Sequence, residues 1–159
     1  MIDEIDQQII ILLQEDARLS NAAIAEKVGL TTSTVHERVK KLEKKGLIKG
    51  YVAVVDPEAV GKSIMAFIRL TLASTTVDYL ASKNGIVEIC DTEPDILECH
   101  GTAGEDCYIL KVRAASPKDL EKLIERIRCN VPVLRSITSI VLSTLKETSK
   151  VTPHSPIQQ

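Results

Sequence analysis

Gly29 separates two short helical patterns, and that separation limits the first third of the chain to very few folds. Upstream, Ser20 reads as a helix cap and Ala23, Ile24 and Val28 recur at helical spacing, so Gly29 falls where a left-handed residue ends a short helix. Leu30 fills the turn. Downstream, Thr31 caps a further helix in which Val35, Val39 and Leu42 form an apolar stripe at i, i+4 and i+7, with Gly46 as its stop. An opening helix is predicted behind Asp3, its apolar positions being Ile5, Ile9, Leu12 and Leu13. Helix, short helix, tight turn, then a helix with small polar residues at its start is helix-turn-helix order.

In that motif the second helix enters the major groove of double-stranded DNA, N-terminal residues first. The net charge of −2 and pI near 5.9 argue against a polyanion partner for the chain as a whole. Distribution reverses this. Residues 31–50 hold six cations (Arg38, Lys40, Lys41, Lys44, Lys45, Lys49) against two anions (Glu37, Glu43), a local charge of +4. The small hydroxyls Thr31, Thr32, Ser33 and Thr34 allow close approach to phosphates and base edges, and His36, Glu37, Arg38 and Lys41 are the candidate base and backbone contacts. The face opposite the apolar stripe is read as Ser33, Thr34, Glu37, Arg38, Lys41 and Lys44. A solvated helix whose cations complement its dipole has the same composition, and only its place in the motif favours DNA. The β-branched run Leu47–Val55 is expected as the strand of a wing, giving a winged helix-turn-helix over residues 1–55.

Asp56-Pro57-Glu58 through Gly61 marks a linker, residues 56–62, after which the texture becomes strand-rich. Residues 64–73 read as a strand, 76–83 as a short helix stopped by Asn84-Gly85, and 86–91 and 96–101 as strands around Glu93-Pro94-Asp95. Residues 107–114 follow as a strand, Ser116-Pro117 opens a helix with core positions Leu120, Leu123, Ile124 and Ile127, and 136–145 is the last strand. The order is taken as β-α-β-β-α-β, a ferredoxin-like domain over residues 63–147, and the fold class as α+β. Its strands look apolar on both faces, with Met65, Phe67 and Leu72 set against Ile64, Ile68 and Leu70, and Ile140 and Leu142 against Ile137 and Val141. Helices cover one face, so a homodimer is expected to cover the other. Residues 148–159 are expected to be a disordered tail.

No apolar run approaches the roughly 18 residues of a membrane helix, and Met1-Ile2-Asp3-Glu4 is unlike a signal peptide, so a cytoplasmic protein without a membrane partner is expected. The four cysteines form no CxxC pair and are expected as reduced thiols; Cys90, Cys99 and Cys107 with His100 fit no zinc spacing, and no metal or cofactor is expected. His36, His100 and His154 lie far apart and in no nucleophile motif, so no catalytic residues are assigned and the chain is not read as an enzyme.

Five segments occur together in order: Asp3…Asp6…Ile9…Leu12-Leu13, Ala25-Glu26-Lys27-Val28-Gly29-Leu30, Val35…Arg38-Val39…Leu42-Glu43…Gly46-Leu47-Ile48-Lys49-Gly50-Tyr51, Asp56-Pro57…Gly61, and Gly104…Tyr108-Ile109-Leu110-Lys111-Val112. In this the chain resembles the Lrp/AsnC feast/famine transcriptional regulators over residues 2–147. The resemblance implies a DNA-reading domain, an effector-sensing ferredoxin-like domain, dimers that often assemble to octamers, and amino acids as common effectors. It places the recognition helix at Thr31–Lys41 with Arg38 at the usual arginine, and an effector pocket between dimers around the loop Gly101–Cys107. There Gly101 and Gly104 offer backbone N–H groups to a carboxylate, Glu105 or Asp106 receives an ammonium, and Ser136 or Thr138 adds a hydroxyl. Cys107 stands where many relatives have aspartate, and Pro132 where glycine is expected. Two alternatives accompany this reading: a ligand-blind architectural DNA-binding protein, and a siroheme decarboxylase. The latter is expected to carry an aromatic-proline segment where this chain has Glu15–Ser20.

Overall fold

Asp3 starts the chain's first helix by reciprocal capping. Its carboxylate accepts from the Asp6 N–H at 2.8 Å while the Asp6 carboxylate accepts from the Asp3 N–H at 3.4 Å, and α1 (Glu4–Glu15) follows. The computed structural model describes residues 2–72, 79–104 and 107–153, with the backbone alone for 79–82. These fall into two units, one reaching to Val54 and taking in the residues from Lys146 onward, the other spanning Val55–Leu145.

In the first unit Ser20 caps α2 (Asn21–Val28), and Gly29 at φ 71° ends it in the left-handed region that favours glycine. Thr31 caps α3 (Thr32–Lys44), accepting from the Thr34 N–H at 3.3 Å. Ile9, Ile24, Ala25, Val35 and Leu42 form the buried core of the three helices. Gly46, at φ 70°, turns the chain so that the Leu47 and Ile48 N–H groups both reach the Leu42 carbonyl.

Beyond that point the expected wing strand is absent: residues 47–55 join no ladder. Every described regular element of this unit is a helix, so a β-branched run has no partner strand to pair with. Tyr51 instead bonds back to α3, its hydroxyl donating to Glu43 at 2.9 Å, and burial followed by the Glu43 carboxylate pushes its pKa up to about 12. Residues 148–153 carry no regular structure, and Val151 among them is hydrogen-bonded to Gln14 of α1; residues 154–159 lie outside the described residues.

The second unit runs β1 (Ile64–Leu72), α4 (Tyr79–Thr92), β2 (Ile96–Gly101), β3 (Tyr108–Ala114), α5 (Pro117–Asn130), β4 (Val133–Ile140). The sheet is antiparallel in order β2-β3-β1-β4, the ferredoxin-like arrangement. Ala66, Ile68, Leu70 and Leu72 alternate along β1 and meet Ile86 and Ile89 of α4 and Leu120, Leu123 and Ile127 of α5. Each of the buried leucine and isoleucine side chains contributes about 1.5–3 kcal/mol.

Two element assignments change. Residues 86–91 are helix, so Asn84-Gly85 is no stop; residues 76–78 of the expected short helix lie outside the described residues. A Cβ at Gly85 would stand 2.8 Å from the Asn130 carbonyl oxygen, so this glycine serves the close approach of α4 to the end of α5. The last strand begins at Val133, directly after Pro132, and ends at Ile140, leaving Leu142 and Leu145 exposed beyond it.

The two-faced sheet also sorts differently. Leu72 belongs with Ile68 and Leu70 on the helix-covered face, whereas the other face carries Met65, Phe67, Arg69, Ile109, Lys111, Arg113, Ile137 and Ser139. That face is an apolar strip among charges, with Glu98 binding both His100 at 3.0 Å and Lys111 at 3.2 Å. Cys90 of α4 and Cys99 of β2 are free thiols packed on the core, and burial, reinforced by a hydrogen bond to Cys99, pushes the Cys90 pKa up to about 12.

Candidate nucleic-acid interface and effector loop

The outer surface of α3 follows from its buried side. Val35 and Leu42 are buried and Arg38 and Val39 half-buried, which at 100° per residue puts Ser33, Glu37, Lys40 and Lys44 on the outermost line, with His36 and Lys41 flanking it. All six are exposed. Lys40 was missed among the candidate contacts, although the same wheel drawn on the sequence places it between Ser33 and Lys44. At the helix start the Thr31 hydroxyl lies 3.0 Å from that of Ser33 and 2.8 Å from that of Thr34, so the three hydroxyls form one hydrogen-bonded cluster. Thr32 is exposed beside it. His36 Nδ1 lies 3.1 Å from the Asn21 amide nitrogen, tying the two helices of the motif together through exposed side chains.

Arg38 departs from the outward-facing assignment. It stands three residues after Val35 and therefore on the inner side, and its Nη1 lies 2.6 Å from Asp3 and 2.7 Å from Asp6. Asp6 is itself buried, the one charged residue of that class among the described residues. The paired carboxylates hold the guanidinium pKa above its ordinary value, Asp3 foremost. The Asp3 carboxyl is held below its own, first by the Asp6 N–H and then by Arg38. Arg38 thus ties the start of α1 to the middle of α3.

In the second unit the loop Gly101–Cys107 closes β2 onto β3, with the Thr102 N–H bonded to the Cys107 carbonyl at 3.0 Å and the Cys107 N–H to the Leu70 carbonyl at 2.8 Å. Gly104 takes φ 139°. Glu105 and Asp106 lie outside the described residues. Ser136 pairs with Leu70 and Thr138 with Ile68, both half-buried on β4 and on the helix-covered face. The Ser136 hydroxyl is buried and has no hydrogen-bond partner among the described residues.

The sheet order separates these groups. Gly101, Tyr108, Leu70 and Ser136 form one row across β2, β3, β1 and β4, so Gly101 and Ser136 stand on opposite edge strands, three strand spacings or roughly 14 Å apart. Within one chain the glycine loop and the β4 hydroxyls do not form one pocket.

Residues 2–49 match a winged helix-turn-helix DNA-binding family and residues 65–151 the Lrp/AsnC ligand binding domain. The chain belongs to the Lrp/AsnC family. It is a DNA-binding transcriptional regulator carrying that family's ligand-binding domain. The HTH-type transcriptional regulator AldR of Mycolicibacterium smegmatis is 34% identical over 93% of this chain and 85% of its own length. The HTH-type transcriptional regulator FL11 of Pyrococcus horikoshii is 35% identical over 94% of this chain and 95% of its own. Among solved structures, a transcriptional regulator of Neisseria meningitidis in complex with L-Met superposes with a TM-score of 0.87 at 26% identity, covering 95% of this chain and 96% of that one. Among the described residues no helix is long and apolar enough to cross a membrane.

Proposed function

We propose that this Lrp/AsnC regulator reads double-stranded DNA with the exposed side of α3 and changes its DNA affinity on binding an amino acid at the Gly101–Cys107 loop. The observation that carries the DNA half is the line Ser33, Glu37, Lys40, Lys44, flanked by His36 and Lys41, on the second helix of a helix-turn-helix. Ser33, Thr34 and Thr32 approach bases and phosphates at the helix start, and Lys40, Lys41 and Lys44 supply phosphate contacts further along. Arg38 serves by fixing α3 against α1, and so orients the reading surface without belonging to it.

The amino-acid half draws on the L-Met complex of the Neisseria relative. Gly101 and Gly104 present backbone N–H groups to the carboxylate, and Glu105 or Asp106 meets the ammonium group. Because Ser136 and Thr138 lie on the far edge of the sheet, they complete such a site only from a neighbouring subunit, and the unpartnered Ser136 hydroxyl supports that role. The reading therefore includes a homodimer through the strip around Phe67 and Ile137, and assembly of dimers toward octamers. Thermal-shift measurements against the twenty amino acids, followed by operator titrations with any that bind, test it. A binder whose effect on operator affinity disappears in Gly104→Val supports the site; no shift with any amino acid contradicts it.

A further inference from the structure

Gln14, at the end of α1, makes a contact that DNA reading does not require. Its side-chain nitrogen donates to the Val151 carbonyl at 2.9 Å and its side-chain oxygen accepts from the Val151 N–H at 2.6 Å. Only one orientation of the amide satisfies both bonds, and together they occupy both backbone groups of one residue, as a neighbouring β-strand does. The chain arrives there shaped for the contact, because the Lys150 N–H bonds to the Thr148 hydroxyl at 3.1 Å. Beside the amide, Ile10, Leu13, Leu47 and Val52 line a cleft with Val151 and Pro153.

We propose that the end of α1 is a peptide-binding site, with Gln14 as its backbone-reading clamp, and that the segment it holds is this chain's own residues 149–153, which thereby form one wall of the cleft. The chain passes between its two units after Val54 and again after Leu145, so a seated C-terminal segment fastens the DNA-reading unit at two points in place of one. Val151 leaves its side chain largely exposed and offers its backbone, so the site is intrinsically weak and little selective. Covalent attachment compensates, since a short tether sustains an effective concentration in the millimolar range. A second fastening narrows the orientations open to α3. Release of the strap therefore weakens binding to a paired operator and leaves a single half-site unaffected, a consequence that rests on the DNA reading proposed above.

The test uses the full chain and two variants: Gln14→Met, which keeps side-chain length and removes both polar atoms, and Val151→Pro, which removes the N–H. Limited trypsin digestion follows cleavage after Lys150 and hydrogen exchange follows the Val151 amide, both in wild type and Gln14→Met, because the Lys–Pro bond of the second variant resists trypsin. The site predicts cleavage about tenfold faster and loss of amide protection in Gln14→Met, and operator affinity lowered several-fold with half-site affinity unchanged in both variants. Equal cleavage and exchange in wild type and Gln14→Met overturn the peptide site. Faster cleavage with unchanged operator affinity overturns its role as a second fastening, while absence of operator binding in the wild type itself points to failure of the DNA reading alone.

Discussion

Arg38 of α3 lies 2.7 Å from the buried carboxylate of Asp6 in α1, and the same nitrogen lies 2.6 Å from Asp3. A buried carboxylate left without its cation is among the costlier defects a small helical domain can carry. Arg38→Ala therefore lowers the stability of the DNA-reading unit by about 2 kcal/mol, less than for a fully buried pair because the guanidinium is partly exposed. Thermal unfolding checks the size. Isothermal binding well below the melting range then separates this loss from operator affinity, which stays within about threefold of wild type if Arg38 makes no base contact.

Acid weakens the same junction. Asp3 has its folded pKa depressed, first by the Asp6 N–H and then by Arg38. Its contribution is fully present above the unfolded value near ~3.9 and is lost as pH falls through the lower folded value. Asp3→Asn, which keeps an N-cap acceptor, is expected to flatten the stability curve below about pH 4 while changing little at pH 7. Urea unfolding at stepped pH values measures this.

Gly85 predicts a packing defect. A methyl group there meets the Asn130 carbonyl at 2.8 Å, and backbone cannot retreat as a flexible side-chain end can. Gly85→Ala is expected to destabilise the α4–α5 contact by about 1–3 kcal/mol despite the better helix propensity of alanine. A rise in stability would show that α4 shifts freely.

The open sheet face predicts a separable dimer. Phe67 is 38% exposed at the centre of its strip, whereas its strand neighbour Ile68 is fully buried. Phe67→Asp should yield a folded monomer by sedimentation, and Ile68→Asp an unfolded chain. A Phe67→Asp dimer as tight as wild type would place the interface elsewhere.

These outcomes also mark what local sequence can convey. The caps at Asp3, Ser20, Thr31 and Ser116 and the left-handed stop at Gly29 depend on residues within one turn, and each is in place. Gly85 was misread because its reason is Asn130, a neighbour in space far along the chain. The Leu47–Val55 run has strand composition, but strands need partners, and its unit offers none among the described residues. Arg38 was available from periodicity: three residues after Val35 is the inner side of the helix, and Asp3 and Asp6 supplied the acids to receive it. The separation of Gly101 from Ser136 depends on strand order, which no local pattern specifies.

The outer line of α3 is expected to lie against DNA phosphates, and the salt dependence of operator affinity reads this contact out. Each phosphate-bound lysine releases counterions, so replacing Lys40, Lys41 and Lys44 singly by alanine should each reduce the log–log slope by about one, with melting temperature unchanged. Slopes identical to wild type in all three variants, with operator affinity intact, would show that this side of α3 does not meet phosphate.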